Sequence, residues 1–165
     1  MRTVALPASL LTIFLAVLSA FALILQVMSV PGQFLSGSAT QGERAHLAWT
    51  LFALAELELL VLQAVILCTW RLLTMVRKDR IFSTASLPWV DGIVWAFVVG
   101  WVALAGVAAY LIAVIYVTPE LRDPGVPIVL IGLVLFGSVL VLLVVVLRAL
   151  LRQATALRTD MDGVI

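Results

Sequence analysis

Two carboxylates stand inside an apolar run of this sequence, Glu56 and Glu58, with Gln63 about a turn and a half beyond the second. Acidic groups in such a setting are suited to holding a proton or a cation. An acidic side chain at the centre of a membrane helix costs roughly 2.5 to 3.5 kcal/mol on insertion scales, so such groups face a bundle interior or a wet cavity. At about 100° per residue the two glutamates point about 200° apart, which excludes a two-carboxylate site on one face. Glu56 shares a stripe with Trp49, Gln63 and Trp70 at successive sevens, and that stripe is the candidate interior face. Glu58 is left either against another helix or protonated toward lipid.

Other chemistry is poorly provided for. His46 and Cys68 are the only soft metal ligands, and on one helix they would lie about 33 Å apart, too far to share a metal. No Ser/His/Asp set, glycine-rich phosphate loop or CxxC pair can be assembled. The expectation is therefore a non-enzymatic chain with neither cofactor nor metal. His46 reads as an interfacial residue. Cys68 reads as a packed thiol, with acylation near the membrane boundary as its alternative.

Composition sets the class of scaffold that must position these groups. Of 165 residues 64% are hydrophobic and 12% charged, with a mean hydropathy of +1.24, whereas a soluble domain has about a quarter of its residues charged. Four apolar runs, about 4–30, 46–70, 90–117 and 126–147, each meet the roughly 20 residues a membrane span needs. Together they predict an all-α membrane protein, a four-helix transmembrane bundle forming one integral membrane domain over 1–165. The first run exceeds the 7 to 15 apolar residues of a signal peptide and is preceded by a single base, Arg2, so it is read as a span. In the third, Gly92, Ala96 and Gly100 recur four apart, a spacing that lets helix backbones approach closely within one chain or in a homo-oligomer. Pro88 suits the first turn of that helix and Ser86 its cap, which sets Asp91 near the positive end of the helix dipole. The fourth run is almost entirely Val, Leu and Ile and is expected to carry no chemistry.

Charge placement gives an orientation. Arg2, the 71–88 loop with Arg71, Arg77, Lys78 and Arg80, and the tail with Arg148, Arg152 and Arg158 fall on one side, against Arg44 and Arg122 on the other. The positive-inside rule then puts both termini and the basic loop in the cytosol. The same rule already accounts for the basic cluster, so no direct nucleic-acid binding is expected. From Arg148 onward an apolar face (Leu147, Leu150, Leu151, Ala154, Leu157) opposes a polar one (Arg152, Gln153, Thr155), which predicts a short amphipathic C-terminal helical extension. Asp160 and Asp162 near its end oppose the helix dipole, which suggests a docking role. Two arrangements stay open: the tail folds back on Arg77, Lys78 and Arg80, or both segments meet only water and anionic headgroups.

The basic loop with its Ile81-Phe82-Ser83 step and the ending Ala154 to Ile165 resemble the bacterial DUF2975 family, small four-helix membrane proteins of unknown function. Asp79-Arg80-Ile81 stands here where the usual loop carries Gly or Pro just before the Phe. The resemblance implies a multi-pass protein of the bacterial plasma (inner) membrane. Members are often encoded beside a small helix-turn-helix regulator, which implies a cytosolic partner of that kind and a regulatory or sensing role. It carries over no catalytic residues.

Two functional expectations follow. In the first the chain is a regulatory, sensing or scaffold protein engaging a cytosolic partner through the 71–88 loop and tail, with Arg77, Lys78, Arg80, Phe82, Asp160 and Asp162 as contact residues. In the second it is a proton- or ion-linked transport component in which Glu56, beside Gln63, is the titrating group. Four spans with no evident inverted repeat would require an oligomer for the latter.

Overall fold

The computed structural model describes residues 5–29, 31–32, 42, 45–77, 84–119 and 124–162, and every regular element among them is helical. Helix α1 (Ala5–Ile24) passes into a π-helical turn, Leu25–Ser29, followed by α2 (Ala45–Val76), a short 3₁₀ turn (Thr84–Ser86), α3 (Leu87–Val117) and α4 (Gly125–Asp162). Each of the four helices is long and apolar enough to cross a membrane, over Ser9–Met28, Ala45–Val76, Leu87–Val117 and Gly125–Leu157. The chain is a multi-pass membrane protein.

Local sequence explains where the helices begin and end. The widened turn of α1 sits ahead of Pro31, which lacks the N–H that a regular i−4 bond would need. Gly42 enters α2 at φ 105°, a left-handed conformation that only glycine adopts without strain, and its carbonyl accepts from Ala45 N–H at 3.1 Å. From Ala45 to Val76 there is neither Gly nor Pro, and the helix runs 32 residues, six beyond the end of its apolar run. Arg71, expected in the loop, is therefore helical. Pro occupies the first turn of α3, but the Ser86 N-cap has an αR backbone and its hydroxyl makes no capping bond. It is buried instead, at 0% exposure, against the expectation of a side-chain cap. Helix α3 stops at Thr118, extended ahead of Pro119, as the residue before a proline is driven to be.

The helices pack in chain order: α1 on α2, α2 on α3, α3 on α4. Fully buried apolar residues are few, among them Ala22, Ile66, Val94 and Ala108, because lipid rather than protein meets most of the apolar surface. Helix α4 is the extreme case. Within its most apolar 18-residue stretch no residue is buried, although Pro127 and Thr155 nearer the helix ends are, so of the two settings for an all-round apolar helix this stretch suits the lipid-facing one. It also runs unbroken for 38 residues, about 57 Å against a hydrocarbon layer of about 30 Å.

Candidate functional site

Three polar arrangements interrupt this apolar fold. The first lies between α2 and α3. Gly100 of α3 is buried, and a Cβ built on it falls 3.1 Å from Glu58 Oε2 and 3.3 Å from Val61 Cγ1. The Glu58 head thus rests on bare helix backbone, so of its two expected settings it takes the one against another helix. Gly92 does the same for Cys68, whose Sγ is 3.1 Å from a Cβ built there. Glu58 also borders a cavity of about 290 Å³ between α2, α3 and α4, walled by Phe97, Trp101, Phe136 and Gly137. Its Oε1 is enclosed and meets no hydrogen-bond donor among the described residues.

Trp101, on the next position of α3, is locked against α4. Its indole N–H lies 3.0 Å from Ser138 Oγ and 3.2 Å from the Val134 carbonyl, while Ser138 itself donates to Val134 O at 2.8 Å. Gly137 makes room for the ring, since a Cβ there falls 3.0 Å from Trp101 Cδ1. Two adjacent small residues of the fourth span, Gly137 and Ser138, are thus the seat of an aromatic side chain from α3.

The second arrangement joins α1 and α2. Ser19 Oγ donates to Gln63 Oε1 at 2.9 Å and Gln63 Nε2 returns a bond to the Ser19 carbonyl at 3.1 Å. Glu56 lies two turns from Gln63 on the same stripe, its Oε1 also enclosed without a donor among the described residues. The expected interior stripe is only partly interior: Trp49 and Trp70 are 46% and 36% exposed and lie on the outside of the helix pack. The register set by Ser19–Gln63 brings Gln26, in the π turn of α1, to the level of Glu56.

The third arrangement gathers one end of the molecule. Arg148 Nε donates to Asp91 Oδ1 at 2.5 Å and Arg152 Nη2 to Oδ2 at 2.9 Å, joining α4 to the start of α3. Across the loop before α3, the Arg71 guanidinium stands 5.5 Å from the Trp89 ring centroid, a cation–π contact. Arg77 reaches back to α1, donating to Thr12 Oγ1 at 2.8 Å. Sequence reasoning placed Asp91 by the helix dipole alone. The i, i+4 spacing of Arg148 and Arg152, with the common side assigned to them and the loop, was the signal that they form one donor site for its carboxylate.

The expected site residues are thus divided among three places. Glu58 and Gly100 meet in the α2–α3 contact, Gly92 serves Cys68, and Gln63 turns to α1. Ala96 is half-buried on α3 between the two glycines. Lys78, Arg80 and Phe82 lie outside the described residues, as do the side chains of Asp160 and Asp162 at the end of α4. The proposed contact of the tail with Arg77, Lys78 and Arg80 therefore also falls outside them. Among the described residues no group of three or more His, Cys, Asp and Glu is placed to hold a metal ion.

No curated protein and no solved structure matches the chain. A family model does, over residues 32–165, covering α2, α3, α4 and the turns between them. The chain belongs to that family, described as protein of unknown function (DUF2975).

Proposed function

We propose that this is a non-enzymatic regulatory, sensing or scaffold protein of the bacterial inner membrane, with both termini cytosolic, whose 71–88 segment and C-terminal tail form one docking face for a cytosolic partner. The observation that carries this reading is the pairing of Asp91 with Arg148 and Arg152. It holds the amphipathic end of α4 beside the segment that follows the basic loop. Leu150 and Leu157 on that extension are 55% and 65% exposed, which leaves apolar side chains to offer a partner. The family resemblance implies a small helix-turn-helix regulator as that partner.

Photo-crosslinking from native membranes tests this, with the crosslinking residue at Leu157 in one variant and at Phe82 in another. The expected result is the same soluble protein captured from both positions, and its capture from Phe82 lost when the chain ends at Arg152. Crosslinks to lipid and to other copies of this chain alone would refute the docking face.

The enclosed Oε1 of Glu56, without a donor among the described residues, favours a second reading, a proton- or ion-linked transport component. In liposomes that reading requires a proton flux abolished by Glu56→Gln and retained after truncation at Arg152.

A further inference from the structure

We propose that the cleft between α2, α3 and α4 binds a small lipophilic amine drawn from the membrane, with Glu58 as its counter-charge and Trp101 as its aromatic wall. This goes beyond the docking reading and depends on a different part of the molecule. The cleft, open on one side, has a volume of about 290 Å³, just under the usual range of about 300 to 1,000 Å³ for small-molecule sites. Of its lining side chains only Glu58 and Trp101 carry polar atoms. The Trp101 N–H is already committed to Ser138 and Val134, so the indole offers the cleft its ring and not a donor. Glu58, by contrast, brings a carboxylate to the lining whose Oε1, closed even to a water molecule, meets no donor among the described residues, so an occupant has to draw that carboxylate toward the cleft.

These features specify the occupant. It needs one group rich in N–H donors to meet a carboxylate, and an otherwise apolar body to meet Phe97, Trp101 and Phe136. An ammonium satisfies the carboxylate and is attracted by aromatic faces, which a neutral hydroxyl is not. An amine paired with a carboxylic acid is neutral overall whichever partner holds the proton, so the complex buries no net charge. The amine of a lipid headgroup is excluded by depth. Glu58 lies 13 residues, about 20 Å, into a helix that starts at Ala45, well inside the hydrocarbon layer. Gly100 and Gly137 fix the walls of the cleft, because each admits a side chain from the neighbouring helix where a Cβ would collide.

The test uses the full chain in phosphatidylcholine nanodiscs, titrated calorimetrically with 1-adamantylamine and with 1-adamantanol, the heat from empty nanodiscs being subtracted. The two probes share a compact apolar body and differ in the ammonium. Saturable binding of the amine is expected, with the alcohol weaker by about tenfold or more. Glu58→Gln should weaken the amine by a similar factor, while Glu56→Gln, on the opposite side of α2, should leave it within about twofold. Equal affinity for the two probes, or no saturable binding of the amine, overturns the proposal without recourse to any variant that must fold. Replacing part of the lipid with phosphatidylethanolamine should not change the affinity. Competition in proportion to that lipid would assign the cleft to a headgroup instead and overturn the small-amine reading.

Discussion

Arg148 Nε lies 2.5 Å from Asp91 Oδ1, and this contact ties the last helix of the chain to the first turns of the one before it. Arg152, one turn further on, takes the second carboxylate oxygen at 2.9 Å. One acid thereby holds two bases that stand one turn apart on α4. The arrangement is unequal, since the Arg152 side chain is 49% exposed and that of Arg148 is 30% exposed. Exposed ion pairs contribute little, so Arg148 is the main link.

Asp91→Asn keeps the shape and removes the charge. Hydrogen exchange of α4 beyond Arg148 should accelerate by about tenfold, the range expected when a helix end is released to local opening. Arg148→Gln should approach that effect and Arg152→Gln should fall well short of it. Exchange unchanged in Asp91→Asn would show that α4 holds its direction without the carboxylate.

The Ser19–Gln63 pair predicts an asymmetry between its two members. Ser19→Ala removes one bond, because Gln63 Nε2 donates to the Ser19 main-chain carbonyl and keeps that acceptor. Gln63→Leu removes both. Interhelical bonds in membranes average about 0.6 kcal/mol with a ceiling near 1.7. Unfolding in mixed micelles should therefore show a loss of about 0.5 kcal/mol for the first and about 1 to 1.5 for the second. Equal losses would mean that the main-chain bond contributes nothing.

The glycines of α3 and α4 sort into two groups. A Cβ at Gly92 or Gly100 meets Cys68 or Glu58 at 3.1 Å, whereas one at Gly106 or Gly132 meets nothing within 4 Å. Gly106→Ala and Gly132→Ala should stabilise by up to about 1 kcal/mol through helix propensity. Gly100→Val should destabilise by about 1 to 3 kcal/mol by overpacking, and the loss should shrink when Glu58→Ala is added. An additive double variant would show that the two residues do not share the contact.

Much of this was legible in the sequence, and the reasons it was not complete are physical. The four apolar runs mark the spans because lipid demands them over their whole length. Helix ends are less legible: α2 continues to Val76 because nothing in its sequence stops a helix at Trp70. The spacing of Gly92, Ala96 and Gly100 announced a close contact, but only the antiparallel register identifies Glu58 and Cys68 as its far side. The stripe through Glu56 and Gln63 was correct in period and incomplete in consequence. A stripe says which residues share a face and not how wide the neighbour is, and α1 covers Gln63 while Trp49 and Trp70 stay exposed. The partner of Trp101 was hidden because a glycine followed by a serine in a Val/Leu run has no periodicity to betray it.

That partner gives a final, separable prediction. With Trp49, Trp70, Trp89 and Trp95 replaced by Phe, Trp101 becomes the only indole and reports on its own setting. Ser138→Ala leaves the Val134 carbonyl at 3.2 Å as an acceptor, so the emission maximum should move little and stability should fall by about 0.5 kcal/mol. Gly137→Ala places a methyl 3.0 Å from Trp101 Cδ1, so the ring has to give by a few tenths of an ångström and the N–H bonds to both acceptors lengthen. Its emission should shift clearly and stability should fall by about 1 to 3 kcal/mol. The same displacement narrows the cleft beside Glu58, so 1-adamantylamine should bind more weakly to Gly137→Ala than to Ser138→Ala. Equal spectra in the two variants would place the ring elsewhere and remove the aromatic wall on which the amine site depends.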